Sequence, residues 1–205
     1  MKVWGRLSSI NVRKVVLAAQ VLQIPFERVE AGREFGIVNT PQFLAKNPNA
    51  MIPLLEDGEL ALWESNVIVR YLCAKHSPGR MYPEALPARF DAERWMDWQQ
   101  TTLNPAGRDA FLQLVRVPAE RRQQGLIDAS IAATEPLLDL LEAHLRSRPF
   151  MAGDELTMAD IPSACEIDRW WQLRLPRPAR PHLERWYEGI RTSAAAQGVL
   201  DLQPS

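Results

Sequence analysis

The stretch HSPGRMYPEALPAR, residues 76–89, divides this chain into two kinds of sequence. Its three prolines and one glycine leave no room for a regular element, so it reads as a connector. Before it, strand-like and helix-like patterns alternate; after it, only helical periodicity occurs. A chain of 205 residues, 46% of them hydrophobic, is long enough for two small domains that share an interface. The expected division is a mixed α/β domain over 1–77, a linker over 78–88 and an all-helical domain over 89–205.

Within the first part, KVWG is a short β-prone run. It precedes apolar residues Val12, Val15, Val16, Ala19 and Leu22, spaced as one buried helix face requires. Pro25 ends that helix, and FERVEA, residues 26–31, alternates as a second strand. A short helical stretch around TPQFLAKN follows. IPLLE and ELALW then flank Asp57-Gly58, a pair suited to a tight hairpin. A third helix puts Val67, Ile68, Tyr71 and Leu72 on one side and turns Arg70 and Lys75 to water. The order is β-α-β-α-β-β-α.

In the second part helical patterns cover Ala88–Val117, Ala119–Ser147, Met158–Leu173 and Pro181–Thr192, with Pro118 separating the first two. A helical bundle packed on a small α/β domain is expected. In LTMADI, Thr157 is positioned to accept a backbone N–H as an N-cap while Asp160 reaches back to the amide of Thr157. Loss of Thr157 should cost about 1 kcal/mol.

Several function classes are set aside. The formal charge is −1, and no Lys/Arg block interleaved with aromatics occurs, so no nucleic-acid partner is expected. The longest apolar runs, such as VVLAAQVL, fall well short of a bilayer span, and the opening MKVWGR has no apolar leader core. A cytoplasmic protein without a membrane partner is expected. Cys73 and Cys165 lie far apart and His76, His144 and His182 are the only histidines, so neither a disulfide framework nor a metal site is indicated.

Three local motifs carry the chemistry, and a fourth is read as a structural cap. SINVRKV, 9–15, sets Ser9, preceded by Ser8, at the start of the first helix. A hydroxyl there either caps the helix or donates to an anion drawn by the positive end of the helix dipole. NPNAMIPLLEDG, 47–58, contains Ile52-Pro53. A cis bond there would turn the N–H and C=O of Ile52 outward, where an extended peptide can pair with them. LWESNVIVRYL, 62–72, places Glu64 and Ser65 at a helix start, an acceptor and a donor for a free amino acid's ammonium and carboxylate. Capping accounts equally well for serine and glutamate in a first turn. The fourth motif is GDELTMADI, 153–161.

Together with the order of elements, these motifs resemble those of the soluble glutathione transferases, of the serine type and close to a theta/phi-like bacterial subgroup. The resemblance implies a thioredoxin-like N-terminal domain followed by an all-α C-terminal domain. Glutathione would be the co-substrate, with no metal required. Its thiol, free pKa near ~8.5, would be held as thiolate by a serine hydroxyl and added to a hydrophobic or halogenated electrophile. Counting back from NVRKV points to Ser9; family members with paired serines use the earlier one, which keeps Ser8 open. Asn11 either orients that hydroxyl or caps the helix. No tyrosine or cysteine stands in this segment to replace the serine.

The resemblance also implies that Ile52, before cis-Pro53, pairs with the cysteinyl backbone of glutathione. Glu64 would meet its ammonium, Ser65 its α-carboxylate, and Arg6 or Lys46 its glycyl carboxylate. Ala50 stands where the family often has glycine. The electrophile would lie between the domains against Leu7, Trp98, Thr102, Arg108 and Phe111, with Trp170 or Trp171 closing the wall. A homodimer is expected on the same ground. An isomerase or peroxidase using the same thiolate, or a noncatalytic interaction module on the same fold, are the alternatives.

Overall fold

The computed structural model describes residues 1–203. Four strands, β1 (Lys2–Trp4), β2 (Glu27–Val29), β3 (Leu54–Asp57) and β4 (Leu60–Trp63), form one mixed sheet in the order β2-β1-β3-β4. β1 runs parallel to β2, with Val3 opposite Arg28, and antiparallel to β3, with Val3 opposite Leu55. The parallel pair needs a crossover, which is helix α1 (Ile10–Val21). A short α2 (Pro41–Leu44) opens with Thr40 accepting the Phe43 amide at 3.3 Å. α3 (Ser65–His76) follows β4 directly.

The hairpin differs from expectation by one residue. Asp57 is the last paired residue of β3, opposite Leu60, so the turn is Gly58-Glu59. Gly58 alone takes positive φ, +63°, which suits a turn with glycine at its first central position.

The expected helix over Ala88–Val117 is a rod of alternating character. α4 (Leu86–Trp98) passes through a π turn at Gln99–Leu103 into α5 (Asn104–Phe111), and a second π turn at Leu112–Arg116 ends it. Pro105 offers no N–H to the carbonyl of Thr101, and the wider turn lies at that break in the ladder. After Pro118 come α6 (Gln124–Leu145), which runs through Pro136, then α7 (Asp160–Trp171) and α8 (Pro181–Arg191).

α7 is the centre of the helical domain: every residue from Asp160 to Trp170 is buried. The capping motif before it has the expected bonds. Thr157 Oγ1 accepts the Ala159 amide at 3.3 Å, and Asp160 accepts the Thr157 amide at 2.9 Å. Asp160 accepts three further bonds, from Thr157 Oγ1 at 3.4 Å, the Met151 amide at 2.9 Å and Trp186 Nε1 at 2.8 Å, so it ties three segments together.

α1 packs against α3 on one side and α7 on the other, which buries it from Val12 to Ala19. That burial includes Arg13 and Lys14, two charges that a simple amphipathic reading directs to water. Both reach the helical domain. Arg13 Nη1 pairs with Asp168 at 3.2 Å, and Lys14 Nζ donates to Gln99 and Gln100, each at 2.9 Å. Gln99 passes the link to Glu166 at 3.0 Å. No helix among the described residues is long and apolar enough to cross a membrane, and no group of three His, Cys, Asp or Glu is placed to hold a metal ion.

Candidate active site

A cavity of about 270 Å³ opens where the N-terminus of α1 meets α5 and α7. Ser8, Ser9 and Asn11 line it from the first domain, and Arg108 and Phe111 line it from α5, so five residues singled out in the sequence converge. Gly5 lets the chain enter this corner. Its φ is +147°, and a Cβ there would fall 2.4 Å from Val12 Cγ2. The Ser9 amide then donates to the Arg6 carbonyl at 3.1 Å, and Arg13 Nε donates to the Leu7 carbonyl at 2.8 Å. The loop carrying both serines is thus held back onto α1.

Ser9 occupies the N-cap position, with φ −89° and ψ 122°, and its carbonyl accepts the Val12 and Arg13 amides at 3.0 Å. Its hydroxyl makes no capping bond. A cap serine normally closes on the N2 or N3 amide. Here the hydroxyl is left beside the cavity, which Ile10 and Asn11 at the very start of the helix also line, so an anion there gains from the hydroxyl and from the helix end.

The Ile52-Pro53 bond is cis, and Ile52 stands just ahead of the first paired residue of β3. Gly32, at φ +85°, gives Ile52 room, since a Cβ there would approach Ile52 Cδ1 to 3.1 Å. Met51, next to it, lines the cavity. Ala50 adopts φ +54°, so the loop keeps the left-handed conformation without a glycine. Asn47, unnoticed in the sequence, is fully buried and organises this loop: Nδ2 donates to the Met51 carbonyl at 2.8 Å, and Oδ1 accepts the Asn49 amide at 3.1 Å.

Glu64, exposed at the N-cap of α3, has φ 71° and ψ 108°, a conformation L-residues rarely adopt. Ser65 is buried, and its Oγ donates to Asn11 Oδ1 at 3.3 Å. Asn11 therefore partners the α3 serine rather than Ser8 or Ser9, and it joins two of the motifs.

Three charged residues singled out in the sequence, Glu64, Lys46 and Arg6, lie apart from the cavity lining, as do Ile52, Pro53 and Ser65. Lys46 pairs with Glu56 at 2.5 Å and sits 5.9 Å from the Trp4 ring centroid, on the sheet. Arg6 lies against Gly32, and its Nε has no hydrogen-bond partner among the described residues. Burial, then the neighbouring Arg33, lowers the Arg6 pKa.

Five residues expected in the pocket wall lie outside the lining of this cavity. Leu7 and Trp98 pack against the hydrophobic core, Trp98 edge-on to Trp95 at 5.3 Å. Thr102 lies in the π turn, and Trp170 is buried against Gly107; neither lines the cavity. Trp171, the last residue of α7, stacks at a tilt on Tyr187, 5.9 Å away. Helically spaced tryptophans went to the core because their large apolar area is best satisfied there. The cavity is lined in addition by Ile10, Arg13, Asn104, Leu112, Arg116, Arg169 and Cys165.

Charge in this region is organised through α7. Asp168 accepts from Arg13, from Tyr187 Oη at 2.7 Å and from Gln172 Nε2 at 2.6 Å; burial nonetheless pushes its carboxyl above the usual range. Glu166 pairs with Arg169, which also donates to Asn104 Oδ1 at 2.9 Å. Lys14, opposite Glu166, is brought down to about 8 by burial. Burial pushes the Cys165 thiol up to about 12, so it stays protonated and is no nucleophile at neutral pH.

Known proteins agree with this architecture. Residues 1–74 match the family model for the glutathione S-transferase N-terminal domain, and residues 105–194 match that for the C-terminal domain. The chain is 43% identical over 199 residues to glutathione S-transferase GstB of Escherichia coli K12, covering 96% of each. It is 31% identical to glutathione S-transferase 3 of Zea mays, covering 100% of this chain and 95% of the other. A theta-class glutathione S-transferase from Xanthomonas axonopodis pv. citri, solved with glutathione bound, superposes with a TM-score of 0.94 at 37% identity, covering 100% and 98% of the two chains. With both halves of the fold matched and the relatives spanned from end to end, the chain belongs to the glutathione S-transferase family.

Proposed function

We propose that this glutathione S-transferase ionises the glutathione thiol with the Ser9 hydroxyl and adds the thiolate to a hydrophobic or halogenated electrophile held against α5. The observation that carries the assignment is the Ser9 hydroxyl itself. It stands at an N-cap, makes no capping bond and lines the cavity. A hydroxyl that donates to sulfur, with the first-turn amides of α1 behind it, stabilises the thiolate over the thiol. Ser8 lines the same cavity and is the competing donor.

The tripeptide backbone would pair with the N–H and C=O of Ile52, as an added strand would. Glu64 is the acceptor for the γ-glutamyl ammonium, and its unusual backbone conformation fits a residue aimed at a ligand. The Ser65 hydroxyl is committed to Asn11, so the carboxylate would take the first-turn amides of α3. Arg6 has its buried Nε unused and offers its guanidinium to the glycyl end, whereas Lys46 would first have to leave Glu56. A cytoplasmic homodimer completes the reading; sedimentation as a monomer would contradict it.

Kinetics of Ser9→Ala and Ser8→Ala with glutathione and 1-chloro-2,4-dinitrobenzene test the assignment. A lost charge-assisted hydrogen bond predicts a fall in kcat/KM of roughly tenfold to a hundredfold for Ser9→Ala. Ser8→Ala should remain within about threefold of wild type on the same scale. The reverse ranking would move the role to Ser8.

A further inference from the structure

The acceptor side of the cavity is cationic. Arg13, Arg108, Arg116 and Arg169 line it, and no Asp or Glu does. This is not a spill-over from composition, because residues 78–205 carry more acidic than basic residues. Two of the four are balanced from behind the wall, Arg13 by Asp168 and Arg169 by Glu166. Arg108 differs: no hydrogen bond or ion pair to it is found among the described residues, and its side chain stands on the exposed rim of α5. The Arg116 and Arg169 guanidinium carbons lie 4.9 and 5.0 Å from the Phe111 ring centroid, which fixes both cations around one aromatic wall. Burial, then Arg33, Arg6, Arg169 and Arg108, lowers the Arg116 pKa, so these cations feel one another. Beside them Ile10, Met51 and Leu112 supply apolar surface.

Cations crowded at one cavity repel one another and gain from an anion placed among them. In the functional reading given above, the tripeptide's own charged groups are met by the N-terminal domain: Glu64, the α3 amides and Arg6. Arg108 of α5 is then left to the second substrate.

Resting on that reading, we propose that the second substrate is an amphipathic anion, an electrophile carrying a carboxylate, and that Arg108 is the residue that recognises its charge. The planar guanidinium fork matches a carboxylate through two N–H donors, while the apolar body lies on Ile10, Met51 and Leu112. For an aryl chloride of this kind the glutathione sulfur forms the new C–S bond, the C–Cl bond breaks, chloride leaves with the electron pair, and the thiol proton has gone to solvent.

The test compares 4-chloro-3-nitrobenzoate with 4-chloro-3-nitrobenzamide, each kcat/KM divided by the uncatalysed rate constant with glutathione, so that intrinsic reactivity cancels. Wild type should favour the benzoate by roughly tenfold or more, the size of one charge-assisted pair. That preference should shrink as sodium chloride is raised, a readout that needs no variant. Arg108→Gln should lower the benzoate's normalised constant roughly tenfold more than the benzamide's, through KM, and Arg108→Lys should retain part of the preference. Equal handling of both acceptors by wild type overturns the proposal. So does an Arg108→Gln variant whose KM rises for glutathione while the ratio stays fixed, since the arginine would then serve the tripeptide. Wild-type conjugation of neither acceptor above the spontaneous rate would instead overturn the Ser9 reading beneath it.

Discussion

Replacing Arg13 with methionine removes a buried cation at the seam between the two domains while keeping most of its volume. The Arg13 and Asp168 side chains are 5% and 1% exposed, and Arg13 also donates to the carbonyls of Leu7 and Gln203, at 2.8 and 2.9 Å. Breaking a buried pair by removing one partner costs about 3–5 kcal/mol. The lower end applies to the pair here, because Tyr187 and Gln172 still donate to Asp168. The Leu7 carbonyl adds about 1 kcal/mol for a lost buried hydrogen bond, giving about 4 kcal/mol in all. Asp168→Asn alone leaves Arg13 uncompensated and should cost about 3 kcal/mol on the same grounds. The double variant removes both charges, so its loss should be at least about 2 kcal/mol smaller than the two single losses combined.

The pH dependence adds a sign to this cycle. Burial already raises the Asp168 carboxyl, and loss of Arg13 raises it further. A group raised on folding binds more protons folded than unfolded, so its stabilisation is complete at low pH and lost as pH rises through the folded value. The Arg13→Met deficit should therefore be smallest in acid and grow toward neutrality. Urea unfolding read by tryptophan fluorescence and circular dichroism measures all four proteins. Additive losses within about 0.5 kcal/mol, or a single-variant loss under about 1 kcal/mol, would refute the reasoning.

Burial raises Asp160 to about 6, against about 3.9 in an unfolded chain, so its contribution is present below pH 4 and lost as pH rises through 6. Wild-type stability relative to Asp160→Asn should accordingly fall by about 3 kcal/mol across that window, and a pH-independent difference would contradict it. Ala50 pays about 1–2 kcal/mol for its left-handed backbone, while glycine there would lose about 0.4–1 kcal/mol to unfolded-state entropy. Calorimetry of Ala50→Gly should therefore show Tm raised by about 1–3 °C.

The layout of the fold was readable because its punctuation is strong: prolines and glycine at 76–89, Asp57-Gly58, and regular apolar spacing in α1 and α3. The hairpin slipped by one residue because Asp57 can close a ladder as well as open a turn. Arg13 and Lys14 were unreadable for a different reason. Periodicity assigns charged residues to water, and only the folded chain brings Asp168 and Gln99 to them across long sequence separations. Trp98, Trp170 and Trp171 show the same limit from the other side, since an aromatic at helical spacing suits a core and a pocket wall alike. What the motifs could not reveal about Ser9 was whether its hydroxyl is spent on the helix. The backbone geometry answers that, because the cap position is filled and the side chain makes no capping bond. The arginines of the acceptor wall are single residues spread over α1, α5, its terminal π turn and α7, with no local pattern to mark them.

The central claim is that the Ser9 hydroxyl and the end of α1 lower the proton affinity of bound glutathione's sulfur. Ultraviolet titration of the thiolate in the binary complex measures this directly. The expected result is ionisation at least about one pH unit below the free thiol, near ~8.5, equivalent to about 1.36 kcal/mol, with Ser9→Ala returning it most of the way. A bound sulfur that titrates as it does in buffer, or one indifferent to Ser9→Ala, would contradict the account.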